Sequence, residues 1–151
     1  MTRRRRQTAG VPECVQVSTT LPDENAALRM AGCLVEERLA ACAQVLGPVS
    51  STYCWKGKVE RAREWYCHLK TTRAGLTALQ RRIQELHPYK VPEIIAVSIA
   101  EGSADYLRWI GETCAPTSPV PPGPNTGSAV APAASERHDR SNTRDDTESR
   151  P

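Results

Sequence analysis

An α+β fold is predicted by three features of this 151-residue sequence. Two-residue alternation and helical periodicity take turns along the chain as far as Ile110. Two of the strand-like segments meet at a tight Lys56-Gly57 turn. The element order is β-α-β-β-α-β, followed by one more helix. Two split βαβ units around a hairpin make a ferredoxin-like sandwich, with four antiparallel strands and two helices on one face.

Glu13–Thr19 opens the fold as a strand, with Val15 and Val17 on one side and Cys14, Gln16 and Ser18 on the other. Thr20-Leu21-Pro22-Asp23 starts a helix: Thr20 or Asp23 caps it, and proline is tolerated in a first turn. Ala27, Met30, Ala31, Leu34, Val35 and Leu39 then form one apolar face, which predicts a helix ending near Cys42. Ala43–Trp55 is the next strand, with Gly47-Pro48 marking a bulge or an edge. Its partner runs from Lys58 to about Thr71 across the Trp55-Lys56-Gly57-Lys58 turn. Pairing Trp55 with Lys58 sets Cys54 opposite Val59, Tyr53 opposite Glu60 and Cys67 near Leu46, so no disulfide joins Cys54 to Cys67. Thr72 caps a second helix carrying Leu76, Leu79, Ile83 and Leu86, and Pro88 stops it. Glu93–Ala100 is a short, mostly apolar strand. Ser103 caps a last helix carrying Tyr106, Leu107 and Ile110, with Trp109 beside them.

The hairpin strands are long for such a sandwich. At roughly 3.3 Å per residue, a strand as long as Ala43–Trp55 spans about 43 Å. A domain of about 100 residues has a radius of gyration near 13 Å. The ends should overhang and expose unpaired edges, and proteins cover such edges. Pairing with another subunit is therefore expected.

Composition divides the chain into a basic arm at 1–10, a folded domain at 11–115 and a Pro-rich, charged tail at 116–151. Of the 12 prolines, 7 lie at or beyond Pro116, and no Leu, Ile, Met or aromatic residue follows Ile110. Such a tail cannot bury enough apolar surface to offset the entropy of ordering it, and disorder is expected for both termini. Removing residues beyond about Pro116 is expected to leave the melting temperature unchanged. A loss of several degrees would show docking, since about 1 kcal/mol shifts a domain of this size by roughly 4–8 °C.

Lys+Arg 20 exceeds Asp+Glu 17, but Arg3, Arg4, Arg5 and Arg6 hold the excess. The domain itself is nearly neutral, which argues against a nucleic-acid surface. An RNA-recognition strand is also missing, since the chain has no Phe and no RNP1-like run. No apolar run approaches the roughly 18 residues of a membrane span. The opening arginines are not followed by the apolar segment of a secretory signal, so a cytoplasmic location is expected. The six cysteines, scattered without a CxxC pair, then read as reduced and mostly buried. There is no Gly-rich phosphate loop, nucleophile elbow or metalloprotease helix, and no enzyme activity is expected.

Five segments in order, LVEERLAAC (Leu34–Cys42), YCWKGKVE (Tyr53–Glu60), LKTT (Leu69–Thr72), LHPYKVPEI (Leu86–Ile94) and YLRWI (Tyr106–Ile110), carry a resemblance to a known family. With their spacing, they resemble the CutA divalent-cation tolerance proteins over nearly the whole of Val11–Cys114. The resemblance implies a ferredoxin-like subunit, a homotrimer built by intersubunit strand pairing, and a role in tolerance to metal ions, copper especially. No cofactor is required, and copper or another divalent cation is the implied ligand. The ligand pattern proposed for bacterial members uses a Cys just before the T-x-P-D turn and a His-His pair before Pro-Tyr. Here Thr19 stands at the cysteine position, and Leu86-His87 replaces the pair. The alternative reading is a PII-like trimeric signalling or scaffold module, binding a small ligand or a partner protein at its subunit interfaces.

His87 is one candidate metal ligand, since imidazole suits copper and zinc. The plainer alternative is a helix-end residue that bonds the last carbonyls. Cys42 is the other candidate, a soft thiolate ligand or a small buried apolar residue. Cys67-His68 does not chelate, because neighbours on a strand point to opposite faces. Tyr53, Trp55, Lys70, Tyr89 and Glu93 mix aromatic and charged groups within the family-like segments. They are candidates for an intersubunit ligand pocket, with a Lys70–Glu93 interface ion pair as the plainer alternative.

Overall fold

The computed structural model describes residues 10–114, and the basic arm at 1–9 and the tail from 115 lie outside the described residues. Strand β1 (Cys14–Leu21) leads into helix α1 (Glu24–Glu36) through Asp23, whose carboxylate accepts the Ala26 amide at 2.7 Å. Thr20 lies inside β1 and takes no part in this cap. The hairpin strands β2 (Cys42–Trp55) and β3 (Lys58–Thr72) follow, then α2 (Leu76–Leu86), β4 (Ile95–Ser98) and α3 (Ala104–Thr113). The sheet order β2-β3-β1-β4, with every pair antiparallel, is that of the ferredoxin-like sandwich.

The hairpin tip follows the expected pairing, with Trp55 opposite Lys58 and Tyr53 opposite Glu60. Lys56 and Gly57 both take positive φ, 47° and 78°, the two left-handed positions of a type I′ turn. Between Leu46 and Val49 the register slips by one residue, at Gly47-Pro48. Cys67 consequently faces Val45 and not Leu46. Gly47 is fixed by packing: a Cβ there would lie 2.5 Å from the Trp65 ring.

Two expected boundaries move. Helix α1 stops at Glu36 and Cys42 begins β2, so Cys42 is not a helix residue. The stop is a Schellman turn, in which the Arg38 amide donates to the Val35 carbonyl and the Leu39 amide to the Leu34 carbonyl. Arg38 occupies the left-handed position usually given to glycine, at φ 59°, a strain of about 1–2 kcal/mol. Strand β4 is shorter than Glu93–Ala100, because β1 is its one partner strand among the described residues and pairs over only four positions.

Val15, Val17, Leu21, Cys67 and Leu69 on one sheet face pack against Ala27, Met30 and Leu34 of α1 and Leu79 and Ile83 of α2. Helix α3 closes the end of the sheet, where Leu107 and Ile110 bury Cys14 and Ala41. The remainder of the second face carries no helix. It presents Gln16 and Ser18 of β1, Tyr66 and His68 of β3, Leu46 of β2, and Ile95 and Val97 of β4. Leu46, Ile95 and Val97 are more than half exposed. Beyond Glu64 the hairpin runs on without a β1 partner, and the outer edge of β2 is unpaired among the described residues. No helix among the described residues is long and apolar enough to cross a membrane.

Candidate functional site

Four even positions of β3, Glu64, Tyr66, His68 and Lys70, point to the helix-free face. Glu64 is 2% exposed, and its Oε1 accepts from the Tyr89 hydroxyl at 3.1 Å. Beside it a cavity of about 310 Å³ is lined by Val49–Tyr53 of β2, Glu64, Tyr66 and Glu93. The fold therefore brings Tyr53, Tyr89 and Glu93 to one place and adds Glu64 and Tyr66, which the sequence reading missed. Their signal was present as the alternation of Glu64, Tyr66, His68 and Lys70 on one face. The cavity offers carboxylates, hydroxyls and aromatic rings, a lining suited to a polar or cationic group.

Trp55 lies two residues further out, at the hairpin end. Lys70 is at the other end of the row, where it donates to the Gln44 side chain, and it forms no ion pair with Glu93 within the chain. His68 stacks on Tyr66 with ring centroids 5.1 Å apart, and its Nδ1 is 2.8 Å from Ser18 Oγ. Burial holds its pKa below the usual value, Lys70 adds to this, and Glu93 opposes. A depressed folded-state pKa means that the unfolded chain binds the proton more readily. Stability is therefore expected to fall as pH drops through about 6.5 and to level off below the folded pKa. Thermal unfolding at pH 7 and pH 5 checks this: His68→Gln should show less pH dependence than the parent, and an equal slope would assign it to other groups.

His87 is buried at the end of α2 and bonded through both ring nitrogens. Its Nε2 donates to the Thr20 carbonyl at 2.9 Å, and its Nδ1 accepts the Tyr89 amide at 3.1 Å. Cys42 lies level with Lys70 and Gln16, four residues along β1 from Thr20, which is about 13 Å. Its sulfur meets the Tyr106 hydroxyl; burial first, and then this bond, push that phenol up to about 12. His87 and Cys42 thus do not share a site. Among the described residues no three His, Cys, Asp or Glu side chains converge to hold a metal ion. Within one chain these residues do not fit a resident metal. Cys67 and His68 point to opposite faces, and burial raises the Cys67 thiol to about 11.

The family profile described as CutA1 divalent ion tolerance protein matches residues 15–113, which include every strand of the sheet but its first residue. The chain belongs to the CutA1 family. The divalent-cation tolerance protein CutA of Thermus thermophilus is 45% identical over 96 residues, 64% of this chain and 93% of that protein. The CutA protein of Citrobacter koseri is 39% identical over 104 residues, 69% of this chain and 90% of the relative. The crystal structure of CutA1 from Oryza sativa superposes with a TM-score of 0.68 at 34% identity, covering 70% of this chain and 96% of that one. CutA from Xylella fastidiosa superposes with a TM-score of 0.66 at 38% identity, covering 68% and 98%. These matches favour CutA1 membership over the PII-like reading. They cover the folded domain, so the polar cavity and the exposed apolar residues both belong to the CutA1 unit.

Proposed function

We propose that the protein supports tolerance to divalent cations, copper among them, as a cytoplasmic homotrimer without catalytic activity of its own. Family membership supports the tolerance role, and the half-covered sheet is the observation behind the assembly. Leu46, Ile95 and Val97 are 61%, 52% and 51% exposed on a face beside an unpaired β2 edge. Proteins rarely leave an apolar face and a long open edge together in water. Three copies about an axis cover both, and each hairpin overhang then pairs with the next subunit, bringing Trp55 close to it. The polar cavity falls at the border of that contact in this reading, with Tyr53 and Glu93 as ligand-facing residues and Tyr89 holding Glu64. Six free cysteines suit a reducing compartment.

Copper contact in this reading is made between subunits, because a threefold axis triplicates each single ligand. His87 ligates a metal only by giving up the Tyr89 amide or the Thr20 carbonyl, so weak binding is expected. Cu(II) calorimetry on His87→Ala and Cys42→Ser against the parent tests both residues. Undiminished binding in His87→Ala would remove it as a ligand.

Two experiments test the proposal as a whole. Sedimentation equilibrium at micromolar concentration should return three times the chain mass, and a stable monomer would overturn the assembly. Cells lacking this chain should grow less well at raised copper and recover with the parent gene. Equal growth with and without the gene would overturn the tolerance role.

A further inference from the structure

The polar cavity beside Glu64 is lined by two carboxylates, Glu64 and Glu93, and no lysine, arginine or histidine is among its lining residues. The arginines nearest in sequence turn away from it. Arg61 and Arg63 alternate with Ala62 and Glu64 along β3 and so point to the other face. Lys70 stands further along the same strand, about 20 Å from Glu64, and donates to the Gln44 side chain. The lining therefore carries a net negative formal charge.

Glu64 is 2% exposed, and the Tyr89 hydroxyl bonded to its Oε1 fixes the carboxylate in the cavity wall. Glu93 is half-buried on the segment that leads into β4. Charges shielded from water attract an opposite charge more strongly than charges in open solvent. Tyr53 from β2 and Tyr66 from β3 stand in the same lining, and aromatic ring faces attract cations. The stack on His68 holds the Tyr66 ring in place. At about 310 Å³ the space is too large for a bare ion and falls at the small end of molecular pockets. Hard divalent ions also gather about six or more oxygens, and among the described residues no three metal-ligating side chains converge.

We propose that this cavity binds a small organic cation with an alkylammonium or guanidinium head group, held by Glu64 and Glu93 and flanked by Tyr53 and Tyr66. The N–H groups of such a head donate to the two carboxylates, and charge-assisted bonds of this kind are the strong ones. The apolar part of the molecule lies against the rings and Val49, which lines the same space. This names the ligand class of the candidate cavity in the proposed function. It rests on that cavity and not on copper tolerance or on the trimer.

The test uses the full chain with its four tyrosine rings carbon-labelled. Carbon–proton spectra are recorded during titration with butylammonium chloride and with guanidinium chloride, against potassium chloride and magnesium chloride at matched ionic strength. Tyr53→Phe and Tyr66→Phe assign the cavity signals, and Tyr106 on α3 is the remote reference. Either organic cation should shift Tyr53 and Tyr66 saturably and leave Tyr106 unmoved, and the tighter of the two names the head group. Potassium and magnesium should give no saturable shift. Glu93→Gln should lower the affinity about tenfold or more, because it removes one charged acceptor. Glu64→Gln should lower it in the same way while still accepting the Tyr89 hydroxyl, and circular dichroism checks its fold. No saturable shift with either organic cation, an equal response to magnesium, or unchanged affinity in Glu93→Gln would overturn the site. Failure of the tolerance reading shows in growth on copper and leaves these spectra as they are, so the two failures are told apart.

Discussion

Leu69→Ala is expected to lower the melting temperature by on the order of 15 °C. Leu69 is fully buried in β3, between Val17 of β1 and Ala43 of β2, and faces the helices. Truncating a buried leucine costs about 2–5 kcal/mol, the larger values where neighbours cannot close the cavity. Strands flank this position on both sides and two helices lie across it, so closure is restricted. A domain of this size loses roughly 4–8 °C per kcal/mol. Thermal unfolding of both proteins at one concentration reads the difference. A loss below about 4 °C would mean that the core refills the space.

Changing Ile95 and Val97 together to glutamate is expected to turn the proposed trimer into folded monomers. Both side chains are about half exposed in the single chain and point away from α1 and α2. Their replacement therefore leaves the subunit core untouched. In a closed assembly the same change would bury carboxylates in every copy, at several kcal/mol per unpaired charge. Sedimentation equilibrium reads the mass, and far-ultraviolet circular dichroism shows that the subunit stays folded. An assembly of unchanged mass would place the contact surface elsewhere on the subunit.

The fold was legible because its signals are local. Asp23, the Lys56-Gly57 turn and Pro88 each mark a boundary by their own chemistry. The stop of α1 was not legible, because Arg38 provides it in a left-handed conformation that arginine rarely takes. Leu39 and Ala40 continue the apolar run past the stop and still reach the core, so periodicity points on to Cys42. The slip at Gly47-Pro48 was readable as a bulge, but its size was not, and Cys67 was paired one residue off.

The site was half legible. Tyr53 and Glu93 came from family-like segments and line one cavity, and Tyr89 reaches it through its bond to Glu64. Glu64 was overlooked because a lone glutamate in a strand with alternating charges looks like a solvated residue. Its burial arises from the Tyr89 loop, which lies 25 residues further along the chain. The bond from Arg38 to the Thr113 carbonyl was equally hidden, since it joins residues 75 apart.

The extra residue at Gly47-Pro48 also sets the parity of β2. Before it, odd-numbered residues such as Ala43 and Val45 turn toward the helices; after it, odd-numbered Tyr53 turns the other way, with Glu60 and Glu64. The extra residue thus lets both halves of β2 keep step with the unbroken alternation of β3. Deleting Pro48 would leave Gly47 alone opposite Trp65 and keep both registers, Leu46 with Tyr66 and Tyr53 with Glu60, so the Tyr53 ring is expected to stay on the cavity side. The bulge is therefore the place in β2 where one residue can be lost without slipping a register, whereas the same loss elsewhere in the strand would turn a face over.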